Sequence, residues 1–309
     1  MKRKYMIIVL MAGALELTGC SQGTSNSAKN GTTGSENTII SESDIAILDT
    51  EDMFTERDRD TEYDESECTA ISLSDEETKC DSDGVKMDGQ TVTITEGGTY
   101  LLTGSLSNGS VVVDTDKTEK VQLILENVSI INEEGAGICV EQADKVFITL
   151  ADGSTNKIVS NSFTGNEDTN IDGAIFSRED LTLNGSGTLK ITSAAHGIVS
   201  KDDLVLTGGV YQIQSEKQGL SGKESVRIAD GTFTITSGTD AIHSEDTDED
   251  TKGFVYITGG VLTLAAGGDG ISSSYVVQAD GGSFDISTSS TETDTSTKGI
   301  KAQKYVILK

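Results

Sequence analysis

Carboxylates, two histidines and a handful of rings and amides are the side chains of this sequence that could do chemistry. Asp240 stands two residues before Ile242, and Asp269 stands at the same place before Ile271. Between them the run Ser244-Glu-Asp-Thr-Asp-Glu-Asp250 supplies Asp246, Asp248 and Asp250 at alternate positions. Calcium takes six to eight oxygens from carboxylates and carbonyls in a flexible cage. Asp240, Asp246, Asp248, Asp250 and Asp269 are therefore the expected metal ligands, with calcium as the cofactor. The spacing imitates the start of an EF-hand loop, but the sixth-position Gly and twelfth-position Glu are absent, so that motif is rejected. His196 and His243 are the only histidines. Neither follows a nucleophile elbow, and the spacing alone assembles no Ser/His/Asp set. In the turns, Glu179, Asp202 and Glu224 occupy equivalent positions, where like charges about 5 Å apart raise one another's pKa unless Arg178, Lys201 and Lys223 neutralise them. For sugar, the candidates are rings that can stack, Phe176, His243 and Tyr256, and hydrogen-bonding groups on a polar face, Lys190 and Gln212. No catalytic residue is assigned, because carboxylates are too common here to single out a glycosidase pair. No phosphate-binding loop, dinucleotide fingerprint or Cys/His zinc spacing occurs. A formal net charge of −28 argues against nucleic acid as a partner.

These residues must be positioned by a repeat. The lines Gly187-Thr-Leu-Lys-Ile-Thr-Ser193, Gly209-Val-Tyr-Gln-Ile-Gln-Ser215 and Gly231-Thr-Phe-Thr-Ile-Thr-Ser237 superpose, each followed by two further short alternating segments. An apolar anchor recurs at Ile175, Ile198, Leu220, Ile242, Ile271 and Ile300. Its period is about 22 residues, once polar inserts at 245–252 and 289–298 are taken as loops on single turns. Three strands in about 22 residues fit one coil of an all-β, right-handed, single-stranded parallel β-helix, with coils about 4.8 Å apart.

Strand parity then assigns the faces. Leu189, Tyr211, Phe233, Leu262 and Phe284 should form one inward column, and Ile191, Ile213, Ile235, Leu264 and Ile286 a second. Lys190, Gln212, Thr234, Thr263 and Asp285 should form an outward ladder. Tyr256, between Val255 and Ile257, points outward by the same rule. Strand-like segments at 91–95, 99–106, 111–114, 121–126, 128–131, 137–141 and 146–150 form an irregular first third, as expected of coils that cap a solenoid's open end. Cys139 should be buried, and no amphipathic helix is expected within the repeats.

Residues 1–19 read as a lipoprotein signal peptide: Lys2-Arg-Lys4, a short apolar run, then Leu17-Thr-Gly-Cys20, with Cys20 the lipidated residue. Residues 20–82 are Ser/Thr-rich, then strongly acidic, and are expected to be a disordered, flexible linker. Cys68 and Cys80 could pair outside the cytosol. Residues 83–309 are the folded domain, and 306–308 look like the second strand of a further coil. These features place the protein outside the cell, lipid-anchored to the outer face of the membrane, as a monomer.

The run Ile94-Thr-Glu-Gly-Gly-Thr-Tyr-Leu-Leu-Thr-Gly-Ser-Leu106, then Val111-Val-Val-Asp114, the stretch from Val121 through Ile130 and that from Ala143 through Ser154 resemble a bacterial family of carbohydrate-binding domain-containing proteins. The resemblance implies a secreted or surface protein with a pectate-lyase-like β-helix, calcium in the fold, and cellulose or polygalacturonate as its polysaccharide partner. It implies non-catalytic binding. A calcium-dependent polysaccharide lyase is the alternative, with Lys190, Lys201 or Arg227 as proton acceptor. A structural or adhesive surface spacer is the second alternative.

Overall fold

A computed structural model describes residues 48–164, 170–289 and 296–309. Cys20 and the signal segment lie outside the described residues. The described chain is a parallel β-solenoid of about eight turns. Each coil contributes three strands to three faces. One coil runs His196–Ser200, Asp203–Leu206 and Val210–Ser215, and the next runs Leu220–Gly222, Ser225–Ile228 and Thr232–Ser237. The first strands build a ten-stranded sheet, and the second and third belong to one 17-stranded sheet folded into two faces. The fold is made by the strand Gly98–Leu106, which pairs through Gly98–Leu102 with one neighbour and through Ser105 and Leu106 with another. At the corner Gly104 has φ +86°, and a Cβ there would lie 2.3 Å from the Leu73 carbonyl oxygen. Only glycine fits that corner.

The expected columns form in register. Leu189, Tyr211, Phe233, Leu262 and Phe284 are successive partners, as are the Ile/Leu set two residues on. The Tyr211 and Phe233 rings stack at 4.9 Å, 5° from parallel. The anchors from Ile175 to Ile300 also stack in register. The residue before each anchor is small because the turn is tight there: a Cβ on Gly219 would lie 2.4 Å from Ile235 Cγ2. Serines close the third strands, and the Ser215 and Ser237 hydroxyls donate to the turn carbonyls two residues on. Cys139 is buried, as expected.

The N-terminal segment departs from expectation. Residues 48–82 are not a solvated tether. Glu56–Arg59 is a short helix capped by Thr55, which accepts from the Asp58 N–H at 3.1 Å. Thr69–Leu73 adds to the solenoid as a parallel strand beside Gly98–Leu106. A dense acidic run can order because the solenoid supplies fixed partners for it. Asp58, 1 % exposed, accepts from Lys145 Nζ at 2.9 Å and from Thr182 Oγ1 at 2.7 Å. Its carbonyl accepts from Thr207 and Asn184. Burial alone would raise Asp58's pKa, but these donors more than offset it and hold the carboxyl below its usual range. Residues 53–63 thus form a strap along the outer side of the second-strand face. Cys68 and Cys80 are free thiols, not a disulfide: Cys68 Sγ turns to the Asp64 carbonyl, while Cys80 packs against the main core.

Candidate carbohydrate-binding cleft

The first-strand face carries the site. Its outward column runs Val112, Cys139, Phe176, Val199, Ser221, His243, Ser272 and Lys301, coil by coil. The lower half is apolar and the upper half polar. Three residues earlier in each coil stands a second column, His196, Gln218, Asp240 and Asp269. Between the columns and the turn that follows lies a cleft of about 290 Å³, lined by His196, Gln218, Ser221, Lys223, His243 and Glu245 among others.

The second column is chemically mixed in sequence, yet most of it performs one task. Three of the four side chains accept a backbone N–H of the coil above, Gln218 being the exception: His196 Nδ1 from Gln218 at 3.2 Å, Asp240 Oδ1 from Asp269 at 2.7 Å, and Asp269 Oδ1 from Lys298 at 2.7 Å. Their other atoms face sideways. His196 Nε2 lies 3.4 Å from Asp172, and Asp269 Oδ2 binds Lys301 at 2.8 Å. Asp240 Oδ2 meets His243 Nδ1 at 3.0 Å, and His243 Nε2 lies 3.5 Å from Glu245. Burial opposes the charged imidazolium of His243, but Asp240 and Glu245 outweigh it and raise its pKa above 6.5. Burial also works against the Asp240 carboxylate, yet His243 and the Asp269 N–H hold its pKa low.

That geometry corrects the expected metal cage. Asp246 Oδ1 is taken by the N–H groups of Asp248 and Glu249, at 2.7 and 3.0 Å. Asp248 pairs with Lys223 at 2.8 Å, and Asp250 is exposed. Asp240 and Asp269 are committed to coil-to-coil hydrogen bonds. Among the described residues no three His, Cys, Asp or Glu side chains come together in a way that could hold a cation. The five aspartates do not fit a shared calcium.

The expected sugar contacts fall on three different faces. His243 lines the cleft. Phe176 is fully buried under the Arg178 guanidinium and the Lys201 ammonium, 5.4 and 5.3 Å from its ring, so it cannot stack on a sugar. Tyr256 does point outward, but Phe54 of the strap stacks on it at 5.9 Å and leaves it 4 % exposed. Lys190 and Gln212 are neighbours on the third-strand face, both exposed. Gln218 and Ser221 were not picked out as site residues. Their signal was an offset of three, the same that separates Asp240 from His243, in adjacent repeats.

At the turn edge the stacked acids behave as charge repulsion predicts. Burial raises Asp202's pKa to about 7, with Asp180, Glu224 and Asp203 adding to the effect. Lysine and arginine neutralise only some of the neighbours: Lys252 pairs with Glu224, and Arg227 with Asp203.

Comparison with known proteins follows the same lines. A family model described as carbohydrate-binding domain-containing protein matches residues 88–309. A carbohydrate-binding domain-containing protein of Acetivibrio thermocellus is 34 % identical over 137 residues, which is 43 % of this chain and 48 % of that protein. The chain thus matches about half the length of that curated relative. A solved structure, the polysaccharide lyase-like protein from C. thermocellum as a gadolinium derivative, superposes with TM-score 0.73 at 31 % identity, covering 78 % of this chain and 97 % of the other. With a family match that spans most of the solenoid and a neighbour that shares its coils, the chain belongs to the carbohydrate-binding domain-containing protein family.

Proposed function

We propose that this chain is a cell-surface lipoprotein that holds a plant-type polysaccharide, cellulose or polygalacturonate, without cutting its backbone. One observation carries the reading. In a protein of net charge −28, the cleft gathers Lys201, Lys223, His196 and His243 beside the amide of Gln218 and the hydroxyl of Ser221. Converging donors on a concave surface are what a glycan's hydroxyls and carboxylates need. The flat ladder with Lys190 and Gln212 extends the contact beyond the cleft. Cys20 tethers the domain to the outer face of the membrane. Calcium enters as a bulk ion bridging the acidic surface to an acidic glycan, not as a resident of the five aspartates.

The test is a pull-down of the purified domain with cellulose and with polygalacturonate, each with calcium or chelator, while absorbance follows unsaturated sugar ends. Retention without absorbance change is expected, weakened about tenfold or more by Lys201→Ala with Lys223→Ala. No retention on either polymer overturns the proposal. Growth of unsaturated ends would establish the second reading, a lyase, which the name of the solved neighbour favours. Incorporation of labelled palmitate, abolished by Cys20→Ala, tests the anchor.

A further inference from the structure

The cleft holds a three-residue arrangement whose chemistry goes beyond holding sugar. Asp240 Oδ2 lies 3.0 Å from His243 Nδ1, which fixes the ring and turns Nε2 toward Glu245 on the cleft side. Ser221 is the register partner of His243 on the coil below, one rung or about 4.8 Å away along the stack. Its hydroxyl is half-buried in the cleft and makes no hydrogen bond among the described residues. Ser272, the partner on the coil above, is 6 % exposed and lies outside the cleft lining. Gln218 stands to Ser221 as Asp240 stands to His243, three residues earlier in the coil. Gln218 Oε1 is buried without a hydrogen-bond partner. Turning the amide over would put Nε2, a donor, at that position in the cleft that Ser221 also lines. An acid orienting an imidazole, a free hydroxyl one rung from that imidazole, and an amide in the same cleft are the parts of an acyl-transfer centre, which is recognised by geometry and not by order in the chain. Such contacts are commonly long before substrate is bound.

We propose that Ser221, His243 and Asp240 hydrolyse acyl esters, such as acetyl groups, carried on the hydroxyls of a sugar bound in the cleft. Ser221 Oγ adds to the ester carbonyl carbon as its proton passes to His243 Nε2. The Gln218 amide donates to the carbonyl oxygen as it gains charge. The bond from acyl carbon to sugar oxygen breaks, and that oxygen takes the proton from Nε2. Water then adds to the acyl-serine, giving a proton to Nε2. Ser221 Oγ leaves and recovers that proton, and a carboxylic acid is released. One ester and one water become one sugar hydroxyl and one acid, with no oxidant or metal. Glu245, 3.5 Å from Nε2 and half-exposed, must swing aside for substrate.

The natural substrate rests on the cleft receiving a glycan, but the first arm of the test does not. The folded full chain is treated with a fluorophosphonate and mapped by mass spectrometry. A single adduct on Ser221 is expected. Ser221→Ala abolishes it, His243→Asn and Asp240→Asn slow it by about 10²-fold or more, and Ser272→Ala leaves it unchanged. In the second arm, acetylated xylo-oligosaccharide should release acetate with the same dependence on these residues. An adduct absent from the folded wild-type protein, or placed on another residue, overturns the proposal. So does failure to release acetate. Because the probe needs no sugar contacts, Ser221 labelling beside failed pull-downs would sink the binding reading alone.

Discussion

Two faces of this solenoid are written in the same alternating code and end in different environments. On the third-strand face the outward residues Lys190, Gln212 and Thr234 are exposed. On the second-strand face Thr182 and Asn184 are 0 % exposed, and Phe147 1 %, although they too point away from the core. The difference is the strap. It inserts Arg57 over the Phe147 ring at 4.5 Å and threads a chain of hydrogen bonds from Arg57 to Gln122, Thr149 and Asn184. Parity sets the direction in which a side chain points. Whether water meets it there depends on what else packs on that face.

The contrast can be broken most sharply at Asp58. Asp58→Ala leaves the Lys145 ammonium and the Thr182 hydroxyl facing a dry contact without their acceptor. A loss of about 3–5 kcal/mol in unfolding free energy is expected, as for one partner removed from a buried pair, together with faster tryptic cleavage at Arg57 and Arg59. Thr234→Ala, outward by the same parity on the open face, should change stability by less than about 0.5 kcal/mol. Equal effects in chemical denaturation would show that the strap does not distinguish the faces.

A milder break is Phe54→Ala. Removing the ring over Tyr256 should cost roughly 0.5–1.5 kcal/mol and open Tyr256 to a fluorescence quencher. Quenching that stays at the wild-type level would mean another part of the strap shields the ring.

The smallest effect sharpens the comparison at the turn edge, where side chains are neither covered nor free. Asp202 has its pKa raised from 3.8 to about 7, so the folded state binds a proton in that interval that the unfolded state has released. Its presence therefore costs stability as pH rises from about 4 to 7, and the full cost stands above 7. Asp202→Asn should raise Tm by about 1–2 °C at pH 8 and change it little at pH 4; the shift is small because the group is only half-buried and solvent screens part of its interactions. A Tm gain that is the same at both values would contradict the raised pKa that burial, with Asp180, Glu224 and Asp203, gives Asp202.

Much of this was legible in the residues themselves. The period of about 22, the anchor from Ile175 to Ile300 and the inward Tyr211–Phe233 column follow from local spacing, because residues one period apart become neighbours on adjacent coils. The candidate site was only partly legible. His243 and Asp240 stood out as residue types, yet Asp240 was expected to hold a metal, whereas it holds a backbone N–H and an imidazole. Phe176 looked like a sugar platform because its ring is large and its parity outward, but Arg178 and Lys201 roof it over.

The repeat, the inward columns and the outward ladder were determined by the sequence alone, since hydrogen bonding between like strands copies each rung's alternation onto the next. Only the tertiary structure decided which outward face is closed and which carboxylates are spent. The strap reaches Thr182 from 124 residues away in the chain, a separation at which no periodicity can signal contact. Which way a carboxylate turns, to a cation, an N–H or an imidazole, is settled by the nearest donors in space, and those come from the coil above.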